Sequence, residues 1–381
     1  MSVAPINPAP LDFDIYKILG SKITRSSELV IIFFEHCNLK CVFCPQDHNS
    51  MVGATREEIL AKSDTVAKFI NNSPRSKDYK LHLLGGELFE DLWIEKGFLD
   101  VYEEFMDLVR SKINIGDKRI YFNYLTNFMF DKKNSDKVMD FCNKHDVKLS
   151  TSYDPRGRFN KGQLDIFLEN VETFKDYIRN VSIVTTSQNV QTIIKSNDKS
   201  TFDYLYKNFP VDFDAYMPSP LIKADAKLIP KDSELLAFNK YLVDNYPECE
   251  NMDAFHDPLN QTGAMMCTRG NSITIQPDGS SPGGCCGVAY QRDKKTGETP
   301  FETGEIVEKF LKKYDCFACD YYENCPFTCF VKADMPGDHN DMEECVFKET
   351  FNYVKKTKGF KPKRDGEDDL SYGFRQKVKM L

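Results

Sequence analysis

Short runs rich in β-branched and aromatic residues alternate along the chain with stretches of helical period. The extended runs read as strands near Leu29–Glu35, Lys80–Leu84, Arg119–Leu125, Val147–Ser152, Val181–Thr186 and Asp212–Tyr216. Helices are expected near Thr55–Asn71, Phe98–Lys112, Asn134–His145, Leu164–Arg179, Thr201–Phe209 and Asp232–Asn245. In the first of these, Ile59, Leu60, Val66, Ala67 and Ile70 make one apolar stripe at helical spacing. Strand–helix alternation predicts a parallel sheet with right-handed crossovers. Six such units are too few to close a barrel of about eight. The expected fold class is therefore α/β, a partial (β/α)6 TIM-like barrel, with a flat doubly wound sheet as the alternative.

Either architecture places an active site at the C-terminal ends of the strands. Polar and thiol-bearing residues gather there. A loop with Cys37, Cys41 and Cys44 follows the first strand, and Gly85-Gly86-Glu87 follows the second. Thr126-Asn127 follows the third, Ser152 and Asp154 close the fourth, and Thr186, Gln188 and Asn189 follow the fifth.

Composition narrows the class. The chain has 381 residues, 41% of them apolar, with 50 basic and 58 acidic side chains and a net charge of −8. That supports a buried core and excludes a disordered chain. The acidic balance argues against an extended nucleic-acid surface. Lys355, Lys356, Lys358, Lys361 and Lys363 are followed at once by Asp365, Glu367, Asp368 and Asp369, a pattern of solvated tail. No apolar run reaches the roughly 18 residues of a membrane helix. Met1–Pro10 lacks a basic stretch leading into an apolar core. A cytoplasmic protein is expected, with neither membrane nor nucleic acid as partner. In a reducing compartment, 13 cysteines point to metal or redox chemistry rather than disulfides. Cys142 and Cys249 stand apart and read as ordinary small hydrophobes.

The spacing Cys37-x3-Cys41-x2-Cys44 puts three thiolates on one short loop. Such a loop can hold three irons of a cubane and leave the fourth open to another ligand. A zinc site completed by His36 or His48 is the other reading. The loop resembles the cluster motif of the radical S-adenosylmethionine (SAM) superfamily, and Gly85-Gly86-Glu87 resembles that superfamily's GGE motif. The resemblance implies a [4Fe-4S] cluster whose open iron is chelated by SAM, and a 5′-deoxyadenosyl radical that takes a hydrogen from substrate. It also implies SAM contacts at Phe43, Gly85, Gly86, Glu87, Ser152, Thr186 and Gln188. Glycine lets backbone approach a ligand closely, and Glu87 can accept a charge-assisted hydrogen bond from the SAM ammonium. Phe43 reads equally well as a core aromatic.

A second group lies further on, in Cys316-x2-Cys319-x5-Cys325-x3-Cys329 and then Cys345. Upstream stand Cys267, Pro277-Asp278-Gly279 and the pair Cys285-Cys286. Taken alone, the two short cysteine pairs also suit a zinc ribbon. The group resembles the SPASM extension of radical SAM enzymes, although five residues rather than four separate Gly279 from Cys285. The resemblance implies two auxiliary [4Fe-4S] clusters. Cys316, Cys319, Cys325 and Cys345 would hold one, and Cys267, Cys285 and Cys329 the other, which is then one ligand short: either Cys286 completes it or the site is open to substrate or water. Sulfatase-maturing members carry an acidic residue where Cys286 stands, so Cys286 is alternatively a hydrogen donor to a substrate radical.

The expected organisation is a lead-in over 1–28, a radical SAM barrel over 29–250, a cysteine-rich auxiliary-cluster domain over 251–349 and a tail over 350–381. The expected function is hydrogen abstraction from a peptide or protein side chain. A small-molecule dehydrogenase or epimerase is the alternative, and a non-catalytic cluster scaffold a third. A flavodoxin or ferredoxin is the expected electron donor.

Overall fold

A computed structural model describes residues 26–44, 46–72, 77–160, 162–195, 199–216, 226–246, 272–281, 303–321, 325 and 339–359. Among the described residues seven strands form one sheet in the order β6-β5-β4-β3-β2-β1-β7. They are β1 (Ser26–Ile32), β2 (Asp78–Leu84), β3 (Arg119–Leu125), β4 (Lys148–Ser152), β5 (Ile178–Thr185), β6 (Val211–Ala215) and β7 (Ser272–Ile275). Every neighbouring pair is parallel. The first six stand in chain order without reversal. That is the winding of a barrel, whereas a doubly wound sheet turns back at a switch point. The sheet curls into a half-barrel with helices outside it.

The helices are α1 (Arg56–Asn72), α2 (Asp91–Glu95), α3 (Phe98–Lys112), α4 (Ser135–His145) and α5 (Gln163–Thr173). After them come α6 (Ser187–Ile194), α7 (Lys199–Asn208), α8 (Asp232–Asn245), α9 (Thr303–Lys313) and α10 (Val346–Thr357). The helix expected over Leu164–Arg179 is corrected. It ends at Thr173, a 3₁₀ turn spans Lys175–Tyr177, and β5 starts at Ile178. Val171, Phe174 and Ile178 keep helical spacing across that boundary, so periodicity alone hides the strand start. Strand β7 lies within the span expected for the auxiliary domain, yet it pairs with β1 of the barrel sheet. Helix α10 runs past 349, with Phe351 and Val354 fully buried.

Burial alternates along the strands. On the helix side, Leu29, Ile31, Tyr79, Leu81, Leu83, Tyr124, Leu149, Val181 and Ile183 are all fully buried. Each such side chain contributes roughly 1.5–3 kcal/mol. The inner side is polar. His82 of β2 lies 3.3 Å from the Asn123 amide nitrogen of β3, and that amide donates to Ser150 Oγ of β4 at 2.9 Å. Ser150 donates to Asn180 of β5, and Asn180 donates to Asp212 of β6 at 3.1 Å. Glu28 of β1 extends this ladder, 3.7 Å from His82 Nε2. A sheet covered by helices on both faces reads as continuous apolar runs; one that lines a lumen can alternate.

Aromatic rings fill the space under the strand ends. Phe34 lies 4.7 Å from Trp93, Phe33 lies 5.0 Å from Phe105, and Tyr102 donates to the carbonyl of Leu88 at 3.0 Å. This packing fixes the ends of β1 and β2, from which the two motif loops depart.

Candidate functional site

The loop after β1 closes on itself. Cys37 N–H donates to the carbonyl of His48 at 3.2 Å, and Cys44 N–H to that of Cys41 at 3.2 Å. Leu39 anchors it in the core, 2% exposed. Cys37, Cys41 and Cys44 are all free thiols and half-buried. Burial pushes the Cys37 and Cys44 thiols up to about 12, and raises Cys41 as well. For Cys37 the nearby Glu87 charge adds to the effect. Thiols held neutral in this way lose their protons when a metal centre binds them.

The Gly85-Gly86-Glu87 turn presses against this loop. A β-carbon on Gly86 would stand 1.9 Å from the carbonyl oxygen of His36, and one on Gly85 would stand 2.7 Å from Leu88 Cδ2. Glycine is required at Gly86 because backbone meets backbone there. Glu87 N–H donates to the same His36 oxygen at 3.0 Å. The Glu87 carboxylate is fully enclosed. Its Oε1 accepts from Phe89 N–H at 2.8 Å and Thr126 Oγ1 at 2.9 Å, and its Oε2 accepts from Asn127 N–H. Burial pushes its pKa up to about 7 against these donors. Glu87 therefore clamps the end of β2 to the end of β3.

Two further residues point at the thiols. Asn127 Nδ2 lies 3.6 Å from Cys37 Sγ, and Arg158 Nη1 lies 3.9 Å from Cys41 Sγ. Arg158 also faces Asp154, at 3.6 Å. Asp154 accepts from Val184 N–H and Asn189 Nδ2, both at 2.9 Å, and so fastens the end of β4 to the end of β5. Burial pushes the Asp154 pKa up to about 7. The sequence reading missed Arg158. Its only signal was the i, i+4 spacing from Asp154 at a strand end.

The remaining expected contacts are placed as follows. Phe43 is 9% exposed and packs with Tyr216, Leu228 and Ile229 beyond the end of β6. Ser152 is half-buried at the last position of β4. Thr186 is buried, and its hydroxyl accepts from Asn189 N–H as the N-cap of α6. Gln188 is exposed on the first turn of that helix. His36, a candidate zinc ligand, instead turns to Glu90 at 3.4 Å and sets its ring edge-on to Trp93 at 5.6 Å.

Cys316, Cys319, Cys325 and Cys345 line a single cavity of about 290 Å³. Helix α10 begins directly after Cys345 and packs on α8. Tyr321 stacks on Phe351 of α10, 4.6 Å apart, and bonds to Asn352 at 2.8 Å. Burial pushes the Cys316 thiol up to about 12. Among the described residues no group of three or more His, Cys, Asp and Glu side chains is gathered as for one metal ion. A zinc ion needs its sulfurs at about 2.3 Å from one point. Cys267, Cys285, Cys286 and Cys329 lie outside the described residues. Among the described residues no helix is long and apolar enough to cross a membrane.

No family profile and no curated protein matches the chain. Solved structures do. A histidine-tagged anSMEcpe with bound AdoMet superposes with a TM-score of 0.60 at 20% identity, covering 86% of this chain and 96% of that one. Native anSMEcpe with bound AdoMet and a Cp18Cys peptide superposes with a TM-score of 0.56 at 19% identity, with the same coverage. The chain shares their fold.

Proposed function

We propose that this chain is a radical SAM enzyme with a SPASM-type auxiliary region, acting on a peptide or protein side chain. One observation carries the reading: at Gly86 the backbone of the Gly-Gly-Glu turn meets the carbonyl of His36, next to Cys37. A ligand seated on an iron of the cysteine loop would therefore also touch that turn. Cys37, Cys41 and Cys44 would hold the SAM-binding [4Fe-4S] cluster. Gly85, Gly86, Glu87, Ser152, Phe43 and the first turn of α6 with Thr186 and Gln188 surround the same end of the sheet. When bound, the cluster supplies the electron that splits SAM into methionine and a 5′-deoxyadenosyl radical, which takes a hydrogen atom from substrate. The chain's own part is to hold the loop, to exclude water with the aromatic packing beneath it, and to fix donors toward the sulfurs.

The cavity lined by Cys316, Cys319, Cys325 and Cys345 supports one auxiliary [4Fe-4S] cluster. A second, held by Cys267, Cys285 and Cys329 with Cys286, follows from the spacing resemblance. A peptide bound to a protein of the same fold supports a peptide substrate. The electron donor is a flavodoxin or ferredoxin, and the setting is cytoplasmic.

The test is 5′-deoxyadenosine release by the reconstituted, reduced protein, kept anaerobic. Stimulation by a peptide fraction of the source cell is expected. Stimulation by small metabolites alone moves the substrate to a sugar or alcohol, and no release from SAM under any condition removes the reading.

A further inference from the structure

Two buried carboxylates, one after β2 and one after β4, each accompany a donor aimed at a cluster sulfur. Glu87 accepts the backbone N–H of Asn127, whose side-chain nitrogen lies 3.6 Å from Cys37 Sγ. The Asn127 amide has one orientation, because its oxygen accepts from Met129 N–H at 2.7 Å and its nitrogen donates to Asn38 Oδ1 at 2.8 Å. Asp154 faces Arg158, whose Nη1 lies 3.9 Å from Cys41 Sγ. The Arg158 side chain is only 7% exposed.

Bracing accounts for only part of the Arg158 placement. Val184 and Asn189 both bond Asp154 Oδ1 at 2.9 Å, and Oδ2, which accepts no hydrogen bond, faces Arg158 Nη1 at 3.6 Å. Arg–carboxylate pairs frequently use the guanidinium fork in two parallel bonds. Here Arg158 Nε is buried without a hydrogen-bond partner, and the group stacks over Phe159 at 5.5 Å. What the geometry does secure is a permanent positive charge beside one sulfur of the loop.

We propose that Arg158, assisted by Asn127, is a positioning residue that sets the reduction potential of the cluster held by Cys37, Cys41 and Cys44. The inference rests on the radical SAM reading above. Reduction adds one negative charge to a cluster. Donors and positive charge at its sulfurs stabilise the reduced form and raise its potential. Arg158 acts on Cys41 and Asn127 on Cys37, so the two sulfurs are tuned from different strands.

The experiment is a redox titration of the reconstituted full-length protein without SAM, followed by electron paramagnetic resonance. The relevant cluster is identified afterwards as the one whose signal changes on adding SAM. Arg158→Gln should move its midpoint to a more negative potential, with iron content and melting temperature unchanged. Arg158→Lys, which keeps charge and loses the fork, should fall between. Asn127→Ala should move the midpoint the same way by a smaller amount, and gives an independent reading if Arg158→Gln does not fold. An unmoved midpoint in Arg158→Gln, with only SAM affinity weakened, overturns the inference. So does loss of this cluster from both Arg158 variants, which would make the residue a holder of the loop. If the unaltered protein gives no SAM-responsive iron–sulfur signal, the radical SAM reading falls, and this inference with it.

Discussion

The carbonyl oxygen of His36 lies 1.9 Å from where a β-carbon on Gly86 would stand. No side chain fits between the end of β2 and the cysteine loop. Gly86→Ala must push that loop away from the turn that should share its ligand. The expected result is loss of the first cluster and of SAM cleavage. Total iron should drop by about four per chain, the content of one cubane. Metal analysis after anaerobic reconstitution measures this. Full iron with undiminished cleavage would dissociate the turn from the cluster.

Glu87 receives hydrogen bonds from Phe89 N–H, Thr126 Oγ1 and Asn127 N–H, and donates none of these. Glu87→Gln keeps the shape but turns an NH₂ toward one of those donors. A buried donor left without an acceptor costs about 1–3 kcal/mol. Urea unfolding should show a loss of that size without a change in slope. A variant as stable as the parent would mean that the enclosed carboxyl is protonated and already shares a proton with its neighbours.

Four thiols around one cavity should behave as a unit. Cys319→Ala is expected to lose about four irons together, leaving the SAM-responsive cluster in place. It should also loosen α10, since Tyr321 and Phe351 stack across the wall of that cavity. Zinc near one per chain in the unaltered protein, with iron near four, would remove the auxiliary cluster.

Lys62 sits in α1 at 2% exposure, with Nζ donating to the Glu58 carbonyl at 3.1 Å. Burial lowers its pKa from 10.5 to about 8, against the charges of Glu58 and Asp278. The unfolded chain therefore holds the extra proton between about pH 8 and 10.5, and this group makes stability rise with pH across that window. Lys62→Met should flatten that rise and stabilise the protein near pH 7 by about 2 kcal/mol, after discounting for screening. Melting temperatures from pH 7 to 10 compare the two proteins. Identical pH profiles would show that Lys62 stays charged and solvated.

The barrel was legible because its signal is local and repeated. Arg119–Leu125, Phe98–Lys112 and Asp232–Asn245 were read to the residue, since period and turn chemistry agree there. Helix α6 was missed because it is only Ser187–Ile194, too short to establish a period. Strand β7 was missed because Ser272–Ile275 earns its place by pairing with β1, which lies over two hundred residues away. In the candidate site, the cysteine loop and the Gly-Gly-Glu turn were legible because their signal is motif spacing within a few residues. Thr186, a candidate ligand contact by position, also caps α6, a role its position in the sequence does not reveal. Arg158 could not be found, because its meaning lies in a distance to Cys41, 117 positions back in the chain.

The ladder from Glu28 through His82, Asn123, Ser150 and Asn180 to Asp212 also constrains how the chain reaches its fold. Side chains alternate across a strand, so a slip of one residue in any pairing would exchange the two faces. Asn123 or Asn180 would then enter a hydrophobic interior while Phe122 or Val181 turned to the lumen. Such a misaligned sheet would leave amides without partners and apolar surface in water at once, and would be rejected during assembly. In a chain built from parallel strands, whose contacts span long sequence distances and form slowly, the inner face of the barrel acts as a proofreading device for strand alignment.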